Sequence, residues 1–225
     1  LPIVAGIEPS YLTIPLPEDS LGRISLTAQD RLEESLDSYQ AVAMGPGWGQ
    51  SEELLALARW LILTVEQPLV IDADGLNALA KMPEVLAEAP IPRILTPHPG
   101  EFARLTKHSK EDANQNREEL AAEYADRYDV VLVLKGHQTV VTDGQRLVIN
   151  TTGNSGMATG GTGDVLTGLI TALLAQGLPA FDAARLGVYL HGMAGDLAAE
   201  HLSKPGLIAS DLPQYLPTAW KMLEG

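Results

Sequence analysis

Residues 154–168 read Asn154-Ser155-Gly156-Met157-Ala158-Thr159-Gly160-Gly161-Thr162-Gly163-Asp164-Val165-Leu166-Thr167-Gly168. Gly160, Gly161 and Gly163 lack Cβ atoms, so the backbone can turn tightly there and come close to a ligand. Leu166, Leu169, Ile170, Leu173 and Leu174 recur at three- and four-residue spacing, which predicts a helix over 165–176. A glycine-rich turn feeding a helix start aims free N–H groups and the positive end of the dipole at one place, an anion site. Asp164 stands at that place. A carboxylate repels a phosphate, so its presence needs a reason of its own. Two are open. It caps the helix it precedes, or it is a base that takes a proton from a hydroxyl attacking a phosphoryl group held by the amides. The length of the motif and the loops that accompany it favour the base.

Working outward, Val130 to Leu134 is a run of five apolar residues and reads as a strand. It ends in Lys135-Gly136-His137-Gln138-Thr139. Lys135 can neutralise a nucleotide phosphate, and Gly136 allows close approach; the other reading is an exposed turn lysine. The glycine-lysine-serine/threonine signature of a P-loop is absent. Thr139–Thr142 and Arg146–Ile149 flank Asp143-Gly144-Gln145, a hairpin pattern. Earlier strands are expected at Ala41–Met44, Leu69–Ile71 and Ile94–Thr96. Helices are expected at Thr27–Leu36, from Ser51 to Leu63, briefly to Lys81, from Ser109 to Tyr128, and again at 182–203 and 211–224. Residues 1–26, with four prolines, read as an irregular lead-in. Strands alternating with helices give an α/β fold: a mostly parallel sheet flanked by helices, with one hairpin, in a single domain over 1–225.

In such sheets the carboxyl ends of the strands line the ligand crevice. Each expected strand ends in a chemically loaded loop. Gly45-Pro46-Gly47-Trp48-Gly49 offers bare amides beside an aromatic, or is a turn with Trp48 in the core. Asp72 and Asp74 lie two apart with Asn77 nearby. They suit Mg²⁺ held through water, or equally a helix cap and a turn aspartate. His98, between Pro97 and Pro99, is a rigid substrate contact or a surface histidine in a proline turn. His108, His137, His191 and His201 have no metal-ligand spacing, and His191 on an apolar helix reads as a core histidine with its hydrogen bonds met.

The 225 residues are ample for a core. Hydrophobic residues make up 45% and charged ones 20%, the composition of an ordinary globular chain. No cysteine is present, which excludes disulfides and thiolate metal sites; the cytoplasm is the expected compartment. A net charge of −14 argues against nucleic acid or an anionic membrane as partner. No apolar run is long enough to span a bilayer.

Taken together, VIDADGLNAL (70–79), TPHPGEFARL (96–105), VLVLKGHQTVVTDG (131–144) and GNSGMATGGTGDVLTGLI (153–170) resemble the ADP- or ATP-dependent NAD(P)H-hydrate dehydratases, the carboxy-terminal half of the YjeF-type repair proteins. The resemblance runs from about Ile3 to the C-terminus and implies a ribokinase-like fold. It implies that a nucleotide phosphorylates the hydroxyl of hydrated NADH or NADPH and that phosphate then leaves. ADP, giving AMP, is expected over ATP, with Mg²⁺ present. By position it gives Asp164 as base and hydrate ligand, Gly47 and His98 as hydrate contacts, Lys135 to Thr139 with Gly163 as the nucleotide segment, and Gly160 to Gly163 (Thr162 included) as the anion hole. It also implies a homo-oligomer, a tetramer, with Trp48 or the C-terminal helix at an interface. The family's glycine-rich βαβ unit does not precede residue 1, so the natural protein is expected to be longer. A kinase of the same fold acting on a thiazole or pyrimidine alcohol, and a nucleotide-binding module without catalysis, are the competing readings.

Overall fold

The computed structural model describes residues 2–223. In chain order its elements are α1 (Pro2–Ile7), α2 (Ala28–Leu36), β1 (Val42–Met44), α3 (Glu52–Thr64), β2 (Leu69–Ile71), α4 (Ala73–Leu79), β3 (Arg93–Leu95), α5 (Pro99–Thr106), α6 (Lys110–Gln115), α7 (Arg117–Tyr128), β4 (Val130–Leu134), β5 (Val140–Thr142), β6 (Leu147–Ile149), α8 (Thr162–Ala175), α9 (Ala180–Leu202) and α10 (Leu212–Lys221). The six strands form one sheet in sequence order. β1 to β4 are parallel, and β4, β5 and β6 are antiparallel neighbours. The register Met44–Ile71, Ile71–Leu95 and Leu95–Leu132 brings the carboxyl ends of four strands to one edge.

Side chains alternate across the sheet, as extended backbone requires. Leu69, Ile71, Leu95, Leu132 and Leu134 pack on one face with Leu57, Leu61, Leu76, Phe102 and Tyr124 from α3, α4, α5 and α7. Val70, Ile94, Val131 and Val133 pack on the other with Leu166, Ile170, Phe181 and Val188 from α8 and α9. Both faces are covered, which is why the central strands are apolar throughout rather than alternating. Arg93 is an exception inside this core. Its Nη2 donates to the carbonyls of Ile62 (2.6 Å) and Val65 (2.7 Å) at the end of α3, where helix carbonyls lack partners. Burial pushes its pKa down to about 10.

Several elements differ from expectation. The lead-in contains the short helix α1. The helix expected from Ser109 to Tyr128 is two helices, broken at Asn116, whose φ of −115° and ψ of 34° leave the helical region. The Pro97–Glu101 loop opens α5. α8 begins at Thr162, three residues ahead of the expected Val165. α10 ends at Lys221, and residue 224 of the expected helix lies outside the described residues. Trp48 is half-buried against the first core cluster. Among the described residues no helix is long and apolar enough to cross a membrane.

Candidate active site

The glycine-rich stretch folds as a cap without a capping side chain. Gly161 takes the N-cap position at φ +90°, and a Cβ there would come within 3.1 Å of Ala209. The first intrahelical bond runs from Val165 N–H to Gly161 O (3.1 Å), which leaves the amides of Thr162, Gly163 and Asp164 free of helical partners. Thr162 Oγ1 donates to the carbonyls of Met157 (2.9 Å) and Thr159 (3.0 Å) and ties the loop into a knot below those amides. Asp164 is therefore the third residue of α8, not its cap. Its carboxylate is exposed in the first turn, where the dipole favours an acid.

Lys135 meets this turn from the end of β4. Its Nζ donates to Asp72 Oδ1 at 2.7 Å, and it lies 3.1 Å from the place a Cβ of Gly163 would occupy. The side chain is 19% exposed, so the turn-lysine reading fails. Asp72, 1% exposed, uses its second oxygen to accept from Thr167 Oγ1 (2.7 Å) on α8. A cation beside helix-terminal amides is electrostatically costly alone; Asp72 offsets it and fixes the ammonium next to Gly163.

That arrangement corrects the expectation for Asp72 and Asp74. Asp72 stands at the N-cap of α4 but makes no side-chain cap bond, because its oxygens face Lys135 and Thr167. Asp74 accepts from Gly49 N–H (2.8 Å) and Asn77 Nδ2 (3.2 Å). The two carboxylates serve different partners, and among the described residues no group of three or more acidic, histidine or cysteine side chains could hold a metal. The donor set does not fit a resident Mg²⁺.

The loop at 45–49 is bound to the same edge. Gly45, at φ +118°, lies so close to the Asp72 carbonyl that a side chain would collide with it. Gly47 is exposed, with open space around it. His98 caps α5: Nδ1 accepts from Gly100 N–H (2.9 Å) and Glu101 N–H (3.3 Å), while Glu101 Oε2 accepts from His98 N–H (2.8 Å). Its side chain is 52% exposed. Pro97 O accepts from Lys135 N–H (2.8 Å), so His98 and Lys135 are held on adjacent strand ends.

On the opposite side of the first turn of α8 lies a cavity of about 470 Å³. Lys135 to Thr139, Asn150 and Thr152 to Ser155 form its walls, with Gly163, Leu166 and His191 behind them. Asp164 does not line it. The Lys135–Thr139 segment is held from outside by Arg117, whose Nη1 donates to His137 O (2.8 Å) and Nη2 to Leu134 O (3.2 Å). His191 is buried as expected, with Nε2 bonded to Thr162 O at 2.9 Å, but it also faces the cavity. Gly163, Lys135 and the 135–139 segment thus come together. Asp164 lies across the turn from them, and Gly47 and His98 lie on the loops of the same sheet edge.

Thr167, Arg117 and His191 carry this geometry and were not singled out as site residues by the sequence. Thr167 gave one signal, a hydroxyl inside the apolar run that follows Asp164. Arg117 gave none, since a basic residue in a charged helix is ordinary.

The chain matches the NAD(P)H-hydrate dehydratase family over residues 10–218. It is 46% identical over 224 residues to the bifunctional NAD(P)H-hydrate repair enzyme Nnr of Moorella thermoacetica, covering 99% of this chain and 42% of that protein. The chain thus spans less than half the length of this curated relative. A solved structure of ADP/ATP-dependent NAD(P)H-hydrate dehydratase from Bacillus subtilis, co-crystallised with ATP/Mg²⁺ and soaked with CoA, superposes with a TM-score of 0.79 at 32% identity, over 98% of this chain and 77% of that one. A ribokinase-like superfamily protein of Enterococcus faecalis superposes with a TM-score of 0.75 at 27% identity, over 88% and 68%. The architecture is ribokinase-like, and the chain belongs to the NAD(P)H-hydrate dehydratase family.

Proposed function

We propose that this chain dehydrates the 6S hydrate of NADH or NADPH in a reaction driven by an adenine nucleotide. The observation that carries the proposal is the first turn of α8. It stands between a cavity and an exposed carboxylate, with free amides and the Lys135 ammonium at the boundary. A nucleotide in the cavity would present its terminal phosphoryl group to those amides. A hydroxylated ring on the other side, against Asp164, Gly47 and His98, would attack it.

In that reading Asp164 takes the proton of the ring hydroxyl as its oxygen bonds to phosphorus. The bond to the leaving phosphate of the nucleotide breaks, and AMP departs when the donor is ADP. The amides of Thr162 and Gly163, with Gly160 and Gly161 letting the chain approach, and Lys135 stabilise the charge on the transferring group. The new phosphate ester then leaves with its carbon–oxygen electron pair. The neighbouring ring carbon loses a proton, which restores the double bond of the dihydronicotinamide. No electrons are gained or lost.

Lys135 to Thr139 would run along the nucleotide. Mg²⁺ would come with the phosphates rather than in a protein cage, since Asp72 and Asp74 are already engaged. ADP is the expected donor over ATP. The cytoplasm, where reduced nicotinamides and adenine nucleotides coexist, is the compartment this reading assigns. A homo-oligomer, tetrameric in the resemblance, belongs to the same proposal. The apolar side chains of Ile3, Ile7, Tyr11 and Leu12, each more than 60% exposed, support an interface there. A monomeric mass by light scattering would remove that part.

The test is to mix the protein with hydrated NADH or NADPH, Mg²⁺ and either ADP or ATP, and to follow the absorbance of the reduced ring together with free phosphate. Recovery of absorbance with stoichiometric phosphate is expected, faster with ADP. Phosphorylated hydrate that accumulates without phosphate release would mean a kinase, and no turnover with either donor would end the proposal.

A further inference from the structure

The wall of the cavity between β6 and α8 has no strand and only one 3₁₀ turn, Ser155–Met157. Its shape comes from α9. Gly192 and Gly195 present bare backbone to it: a side chain at 192 would collide with Thr152, and one at 195 with Met157. The segment therefore lies directly on the helix. Thr152 Oγ1 donates to Tyr189 O at 2.9 Å.

One turn beyond Gly192, Asp196 reaches into the segment with both carboxylate oxygens. Oδ2 accepts from Gly153 N–H (2.8 Å) and Oδ1 from Asn154 Nδ2 (2.9 Å). Asn154 Nδ2 also donates to Gly195 O (2.9 Å), and its Oδ1 accepts from Gly156 N–H (2.9 Å). The carboxylate is half-buried, and among the described residues no lysine or arginine forms an ion pair with it. A charge so placed is held by what it accepts, and both donors belong to the cavity wall.

We propose that Asp196 is a positioning residue for the nucleotide, acting through Gly153 and Asn154 to hold the wall in its binding shape. The inference rests on the nucleotide reading of this cavity. Two acceptor oxygens are what the wall requires. An amide at 196 offers one acceptor and one donor, so either way round it faces an N–H with an N–H. The residue touches neither Asp164 nor Lys135, so its loss acts on nucleotide binding and not on the chemical step.

The experiment is calorimetric titration of ADP into the full chain without hydrate, together with steady-state kinetics. Asp196→Asn, which keeps the volume, is expected to weaken ADP binding and raise its KM about tenfold. It should leave kcat and the KM for hydrate within about twofold, the pattern of lost ground-state binding. Asn154→Ala is a second single variant with the same expected KM effect, should Asp196→Asn fold poorly. Equal ADP affinity in wild type and both single variants would overturn the inference and leave the functional reading standing. So would a fall in kcat with unchanged KM. A wild type that binds no adenine nucleotide would overturn both. A wild type that binds ADP but turns over no hydrate would end only the functional reading, with the affinity ratio still deciding the inference.

Discussion

The two sides of the first turn of α8 are built on different principles. On the sheet side, charges sit at the ends of short parallel strands: Asp72 after β2 and Lys135 after β4, joined at 2.7 Å and locked to Thr167. On the cavity side, a segment with almost no regular structure is laid on a helix through glycines and held by the Asp196 carboxylate, Lys135 reaches in from the strand end, and the buried ring beside it is the neutral imidazole of His191. The difference follows from what each side must do. Charge that is to meet a developing charge is best carried by rigid elements whose reorganisation is already complete. A wall that is to fit a neutral surface needs shape, and close backbone approach supplies it.

The largest break in that comparison comes from the acid in the first turn itself. Asp164→Asn keeps the first turn of α8 and removes the base. Turnover of the hydrate is expected to fall by roughly 10² to 10⁴, while ADP affinity stays within about twofold because Asp164 does not line the cavity. Stopped assays with calorimetry on the same sample measure both. Wild-type turnover in the variant would exclude Asp164 as base; lost ADP binding would mean the two sides are not separate.

A smaller effect tests the charged pair. Lys135→Met leaves Asp72 buried with only a hydroxyl for company, which is expected to cost about 3–5 kcal/mol by urea unfolding. Adding Asp72→Leu removes the stranded charge, so the double variant should be the more stable of the two. It should remain about a hundredfold down in activity, since the ammonium at Gly163 is still missing. A double variant no more stable than Lys135→Met would show that the pair is not the buried unit its geometry describes.

Much of this site was legible because it is local. The glycine loop, the acid after it, the helix spacing beyond and the lysine after the most apolar strand each lie within a few residues. The parallel order followed from strands alternating with helices. What sequence could not give was the pairing of those pieces. Asp72 lies 63 residues from Lys135 and 95 from Thr167, so its two carboxylate bonds have no sequence spacing to reveal them. The same carboxylate read locally looks like a cap or a metal ligand, and both readings fail for one reason: its oxygens point out of the turn. His98 misled in the opposite direction. The prolines suggested a loop, yet Pro99 is the first residue of α5, where a missing N–H costs nothing. Glu101 three residues after His98 is the acid of a capping box. The break at Asn116 was hidden because the charged residues on both sides favour helix equally.

The smallest effect sharpens the neutral side. Burial pushes the pKa of His191 down to about 4; the carbonyl of Thr162 opposes this, and the charge of Lys135 adds to it. In the unfolded chain the ring titrates near its ordinary value of about 6.5. Between these two points the unfolded chain binds a proton that the folded chain refuses. Stability from this group is therefore complete above about pH 6.5 and falls as pH drops towards 4, by roughly 3 kcal/mol in all. His191→Gln can still donate to Thr162 O and does not titrate. Its unfolding free energy should decline less than that of wild type between pH 7 and pH 4.5, with every other carboxylate common to both proteins. Parallel declines would place the acid sensitivity elsewhere. A shallower decline in the variant would mean that the turn carrying the free amides rests on an imidazole that is uncharged at neutral pH.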